Sequence, residues 1–278
     1  IPLYKENQDK GGYNIYMTKY HTTPTDIHLN LTYDDPVWRA VVQDIRFRKA
    51  LNMAIDRKEI IDAVYYGFGE PGKIIDSTFN PEEANKLLDE MGMTRGNDGF
   101  RVGPDGKKFT IPFEIGGQVV DMAPVTELVV EQWRALDLDV TMKMIDPALW
   151  STRSSANELQ ATVMFTHTPL WYQGDFGQQL WGPLWHRYHT SGGQQGEKPP
   201  ADVQKMYDLI DKSSVVSPDE GRKLIDEGKS EIGKNIWYFI WAENVRQPFI
   251  AKKNLGNMSD KGFSIACGFS GEQFFYRE

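Results

Sequence analysis

The residues best suited to chemistry crowd into one stretch, 166–200. It holds three of the chain's histidines (His167, His186, His189) and the aromatic residues Trp171, Tyr172, Phe176, Trp181, Trp185 and Tyr188, with Asp175 and Arg187 among them. Flat rings pack against sugar rings and other apolar surfaces, a carboxylate accepts hydrogen bonds from a ligand ammonium or from sugar hydroxyls, and His and Arg add polar contacts. Two readings of this stretch stay open on the sequence. The rings form a lid packed over the core, or they line a cleft in which Trp171, Tyr172, Asp175, Phe176, Trp181, Trp185, His186 and Arg187 grip a ligand.

Other chemistries find less support. His186 and His189 stand at i, i+3, but a metal site would want a further carboxylate on a helix, and no His-Glu-x-x-His pattern occurs. No metal site is expected. Gly-x-Gly-x-x-Gly, Gly-Lys-Ser/Thr in phosphate-loop spacing and Gly-x-Ser-x-Gly are also absent, so no cofactor is expected, and Ser191-Gly192-Gly193 reads as a turn. Asp175 and Glu158 are the acids nearest the aromatic stretch. A carboxylate pair there would make the protein a glycan-active hydrolase, the alternative to a binding protein. Otherwise no catalytic residue is assigned. The single cysteine, Cys267, permits no intrachain disulfide and reads as inert.

Charge narrows the partners. Lys and Arg total 31 against 39 Asp and Glu, a net charge of −8, which disfavours nucleic acid and anionic lipid surfaces. No apolar run approaches the ~18 residues that cross a bilayer. The best, 236–242, reads as a buried strand. Ile1-Pro2-Leu3-Tyr4 lacks an initiator Met, a basic segment and an apolar segment, so the chain is expected to start as a processed or excised piece.

Around this stretch the sequence predicts alternating strands and helices. The length of 278 residues suits about two domains or one large one. Residues 1–20 read as a polar turn followed by a strand at 13–17. Residues 27–31 alternate with period two, and Asp34-Asp35-Pro36 punctuates the chain. Phe47, Ala50, Leu51, Ala54 and Ile55 share one helical face. Asp56 and Glu59 form a capping box for a helix that stops at Gly67, and Asn80-Pro81-Glu82-Glu83 starts another. A hairpin is expected about Pro104-Asp105-Gly106. Strand 109–115, helix 122–136 and strand 139–145 form a β-α-β unit with parallel strands. A short helix follows to about Ser154, then a strand at 161–165. Residues 166–200 read as a long functional loop. Helices are expected at 201–213 and from Ser217, and 236–278 as mostly β-like.

The segment from Asp44 through Arg57, Asp-Ile-Arg-Phe-Arg-Lys-Ala-Leu-Asn-Met-Ala-Ile-Asp-Arg, resembles a signature of the family 5 extracellular solute-binding proteins, the receptors of bacterial ABC importers for dipeptides, oligopeptides and nickel. Ile60-Ile61 with Gly67-Phe68-Gly69-Glu70-Pro71, the run from Glu83 to Gly92, and Gly103-Pro104-Asp105-Gly106-Lys107 follow in family order. Three departures stand out: Phe47 where Val is usual, a short link from Pro71 to Asn80, and Phe176 where Pro usually follows Asp175. The resemblance covers the second half of the family's protein. It implies an α/β fold, a periplasmic-binding-protein type II lobe with a mixed β-sheet flanked by helices. By this analogy residues 1–25 form a linker or hinge strand from an absent first lobe, 26–244 the C-terminal ligand-binding lobe, and 245–278 a hinge and return segment. It further implies a small-molecule solute, sugar-like or peptide, an ABC permease as membrane partner, and the N-terminal lobe of the same protein as a second partner. The implied location is periplasmic or extracellular, with a lipid anchor on the preceding N-terminus allowed. Trp171 and Asp175 match positions where the family meets a peptide's amino terminus. The run from Trp185 to Gly193 with Glu197-Lys198-Pro199-Pro200 is similar to a subgroup linked to oligosaccharide uptake.

Overall fold

The computed structural model describes residues 2–17, 25–165, 178–246, 248–258 and 274–277. In chain order the strands are β1 (Tyr13–Met17), β2 (Thr25–Leu29), β3 (Glu70–Pro71), β4 (Thr110–Ile115), β5 (Asp139–Met144), β6 (Ala161–Phe165), β7 (Ala242–Glu243), β8 (Pro248–Lys252), β9 (Leu255–Gly256) and β10 (Phe275–Tyr276). The central sheet runs β2-β6-β4-β5. β4 and β5 pair parallel from Thr110 opposite Asp139 to Ile115 opposite Met144. β6 joins β4 in parallel, with Phe113 opposite Ala161. β2 closes the other side antiparallel, Thr25 opposite Phe165 and Leu29 opposite Ala161. The predicted β-α-β unit is present, its crossover being the helix Met122–Arg134.

The sequence forms these elements for local reasons. β4 buries Ile111, Phe113 and Ile115 and leaves the residues between them half-buried, the period-two signature of a sheet covered on one face. The crossover helix lays Met122, Val125, Val129 and Trp133 onto that sheet, and Trp133 packs between Phe113 and Phe239 at ring separations of 5.7 and 5.4 Å. Helix starts are capped by short polar side chains that accept from otherwise unpaired backbone N–H groups. Asp56 accepts from Glu59, Asn80 from Glu83, and Ser217 from Glu220.

Several predicted elements differ. Asp34-Asp35-Pro36 does more than punctuate: Asp35 caps the helix Pro36–Val42, accepting from the Trp38 N–H, with Pro36 at the first helical position. The expected hairpin shrinks to the isolated bridges Arg95 opposite Arg101 and Val102 opposite Lys108. The cause is Arg101, whose wholly buried guanidinium donates to the Leu136 and Met93 carbonyls, to Asp89 and to Asn85. That clamp ties the segment to the helix Pro81–Glu90 and leaves β4 to pair with β5 and β6. Residues 236–241 are buried as expected but form no strand beyond the bridge of Ile27 with Phe239. Their backbone is engaged elsewhere, the Ile240 carbonyl by Arg57. Ile236 itself ends the preceding helix at φ 48°. Two short helices, Pro2–Glu6 and Gln8–Gly11, precede β1, which pairs antiparallel with β8. The stretch read as a long loop contains the helices Gln178–Trp181 and Pro183–Thr190, the second started by Pro183. Helices Ala201–Ser213 and Pro218–Asn235 complete the chain's helical layer.

Candidate functional site

Parallel pairing brings the carboxyl ends of β4, β5 and β6 to one edge of the sheet, and antiparallel pairing brings the start of β2 to the same edge. In open α/β sheets, ligands bind beyond the carboxyl ends of strands. β6 ends here at Phe165, and residues 166–177 follow it in sequence. Trp171, Tyr172, Asp175, Phe176 and His167 belong to that segment and lie outside the described residues, as does Cys267.

The remaining candidates do not converge on one point. Trp181 is 1% exposed and stacks on Trp237, with centroids 5.3 Å apart and planes 7° from parallel. Trp185 meets Trp181 edge-on at 6.3 Å. For these two rings the packing is that of a core. His186 is half-buried, its Nδ1 3.4 Å from Gln178 Oε1. Arg187 donates to the Ser155 carbonyl at 2.8 Å. His189 stacks on Tyr207 at 4.3 Å and sets Nε2 3.3 Å from Asp211. His186 and His189 thus serve separate partners. Among the described residues no group of three or more His, Cys, Asp or Glu is placed to hold a metal ion. Glu158 is exposed and faces Arg153.

At the start of β2 lies a polar group that the sequence reading missed. Thr25, Asp26 and His28 are each 0% exposed. The Tyr65 hydroxyl donates to Asp121, on the connection that follows β4. Trp241 leans on the Tyr65 ring at 4.9 Å and donates its indole N–H to the Thr25 carbonyl. Tyr238 stacks on His28 at 5.4 Å, 17° from parallel. Asp26 and His28 have partners of their own. The Thr25 Oγ1 and the Tyr238 hydroxyl are buried with no hydrogen-bond partner.

Electrostatics follow from this burial. Desolvation holds the His28 imidazole neutral, its pKa down to about 3. Burial, then the Asp121 carboxylate, raises the Tyr65 phenol. Burial, then Asp26 and Glu243, raises Tyr238 well above its ordinary value. The usable signal was the alternation in β2 itself. Ile27 and Leu29 face one side, so Asp26 and His28 share the other. Alternation by itself is the pattern of a half-buried strand, whereas the structure buries both sides.

Comparison with known proteins places this geometry in a family. Residues 2–184 match the family described as bacterial extracellular solute-binding proteins, family 5 Middle. A stretch of 138 residues, 45% of this chain, is 27% identical to heme-binding protein A of Haemophilus influenzae and covers 24% of that protein. Among solved structures, the oligopeptide-binding protein OppA aligns with 100% of this chain and 50% of its own, at 24% identity and a TM-score of 0.73. The periplasmic binding protein MelB of Agrobacterium fabrum, in complex with stachyose, aligns with 88% of this chain and 41% of its own, at 19% identity and a TM-score of 0.74. The chain therefore spans about half or less of the relatives it matches. The structural likenesses identify the fold as the periplasmic-binding-protein type II architecture, a mixed sheet flanked by helices.

Proposed function

Because the chain belongs to the bacterial extracellular solute-binding proteins of family 5, we propose that it is the C-terminal lobe of an ABC-importer receptor. In this reading, residues 26–244 bind one side of a sugar-like or peptide solute. Residues 1–25 and 245–278 act as hinge and return segments. A first lobe closes from the opposite side, excludes water, and presents a closed surface to a membrane permease. Binding shifts an open–closed equilibrium, so affinity draws on both lobes. The receptor works in the periplasm or outside the cell. Among the described residues no helix is long and apolar enough to cross a membrane, and attachment through a lipid on a preceding segment accords with the family's location.

The observation that carries the solute-binding role is the gathering of the carboxyl ends of β4, β5 and β6 with the start of β2 at one edge of the sheet. In this reading Trp171, Tyr172, Asp175 and Phe176, which follow β6 in sequence, contribute rings and a carboxylate to solute binding. His186 and Arg187 lie on the helix Pro183–Thr190, whose own Trp185 packs inward against Trp181. The family and the structural relatives are substrate-binding transport proteins, not enzymes, which speaks against the hydrolase alternative. The test is calorimetry on the 278-residue chain and on the full-length protein with one solute panel. The expected result is binding by the full-length protein and much weaker binding by the chain alone. A sub-micromolar complex formed by the chain alone overturns two-lobe capture.

A further inference from the structure

Resting on the solute-binding reading above, we propose that an apolar lip formed by Val120, Met144 and Leu149 is the surface that the first lobe covers when the receptor closes on its solute. The starting point is where the chain enters and leaves the sheet. It enters at Thr25, the first residue of β2. Its return runs past Phe239, bridged to Ile27, and reaches Trp241, whose indole N–H donates to the Thr25 carbonyl. Both connections toward the terminal segments therefore lie at the carboxyl edge of the parallel strands, on its β2 side. A lobe that continues from those segments faces this edge. The sheet order β2-β6-β4-β5 sets a sequence along it. The connections come first, at β2, then the end of β6, and the ends of β4 and β5 come last, about 10–14 Å from β2 at roughly 4.8 Å per strand.

The lip stands on those last two ends. Val120 is 97%, Met144 55% and Leu149 47% exposed, three of the six exposed large apolar side chains described between residues 26 and 244. Their segments meet. Ile115 pairs with Met144, and a Cβ on Gly117 would lie 2.6 Å from the Met144 Cε, so the Met144 methyl rests on the turn that leads to Val120. Leu149 stands in the first turn of the helix Pro147–Ser155, which starts just beyond Met144. Clustered exposed apolar side chains mark contact surfaces, whereas scattered ones are ordinary. Small solutes bind in concavities that bury most of their surface, and a valine 97% exposed lines none. A protruding apolar side chain suits a protein face that closes over it. The end of the edge away from the chain connections is also where two hinged lobes travel furthest and touch last. Burial of the lip then favours the closed state alone, so it strengthens solute binding without touching the solute.

The experiment reads Met144 directly, because it alone of the ten methionines is exposed. Its oxidation by hydrogen peroxide is followed by peptide mass spectrometry in the full-length protein and in the 278-residue chain, each with and without saturating stachyose or trialanine. Calorimetry with the same two solutes compares the wild type with a variant carrying both Val120→Ser and Met144→Gln. In the full-length protein the bound solute is expected to slow Met144 oxidation several-fold, and the double substitution to weaken binding about tenfold, on the scale of two buried apolar side chains. In the chain alone, neither the solute nor the substitutions should change these readings. The melting temperature of the unliganded variant should match the wild type, because exposed side chains contribute little to folding. Protection of Met144 by solute in the chain alone, or an equal loss of affinity there, makes the lip a solute contact. Unchanged oxidation or unchanged affinity in the full-length protein leaves the lip uncovered. Each of these results overturns the lip and leaves solute capture standing, whereas a full-length protein that binds neither solute overturns the sugar-or-peptide reading and the lip with it.

Discussion

Trp181 and Trp237, 56 residues apart in sequence, stack as one aromatic slab, their planes 7° from parallel. The slab joins the short helix after residues 166–177 to the segment that runs beside β2, where Phe239 bridges Ile27. Its position makes Trp181 a structural anchor for the start of the helix Pro183–Thr190. Trp181→Ala is expected to cost about 3–5 kcal/mol, the range for truncating a fully buried large aromatic residue. Urea unfolding measures this, and a loss under 1 kcal/mol would show the stack to be dispensable.

His28 makes stability depend on pH. The folded protein keeps it neutral down to about pH 3, while an unfolded chain protonates histidine near 6.5. Unfolding therefore takes up a proton throughout that window. The contribution is complete above pH 6.5 and is lost as the pH falls, by at most about 1.4 kcal/mol per pH unit. His28→Phe keeps a ring against Tyr238 and removes the titration. Unfolding free energies between pH 4.5 and 7.5 should fall less steeply in this variant than in the wild type, and equal slopes would refute the assignment.

Arg101 is the most heavily bonded buried cation described. It donates to the Asp89 carboxylate at 2.7 Å and to the Met93 carbonyl at 2.6 Å while itself 0% exposed. Its replacement by Ala strands the buried Leu136 and Met93 carbonyls while Asp89 stays exposed to water, and a loss of at least about 1–3 kcal/mol, the cost of one stranded buried polar group, is expected. Arg101→Met fills the space but not the bonds and should recover only part of it. Thermal unfolding of the pair separates packing from hydrogen bonding.

Gly233 tests close backbone approach. A Cβ at this position would collide with the Ile74 carbonyl oxygen, although Ala is favoured over Gly within a helix by about 1 kcal/mol. The collision is with backbone, which cannot swing aside as a side chain can. Gly233→Ala is expected to destabilise by about 1–3 kcal/mol. A stabilised variant, read by its melting temperature, would mean that the 72–77 segment moves freely.

The parts of the fold governed by local rules were legible. Asp56, Asn80 and Ser217 announced helix starts that the structure caps as expected, and 110–144 folds as the β-α-β unit its periodicity implies. What escaped depended on distant partners. The segment about Val102 reads as a hairpin strand until Arg101 is seen bound to Leu136, and 236–241 reads as a strand until Ile240 is seen bonded to Arg57. The candidate site divides in the same way. The aromatic stretch was visible by composition, but its Trp181 and Trp185 pack inward. The burial of Asp26 and His28 was hidden, because alternation tells which residues share a side and not whether that side meets water.

The antiparallel placing of β2 beside β6 also sets a timetable for folding. Asn30 finds the Leu159 carbonyl 129 residues away, and the Thr25 carbonyl waits for Trp241, 216 residues away. Contacts that close such long loops form slowly. A chain emerging from the ribosome in order would hold β2 unpaired, with its apolar Ile27 and Leu29 uncovered, until β6 had appeared, and the Thr25 carbonyl unsatisfied by Trp241 for longer still. Until β6 emerges, such a chain has no sheet for β2 to close on and stays extended enough to thread.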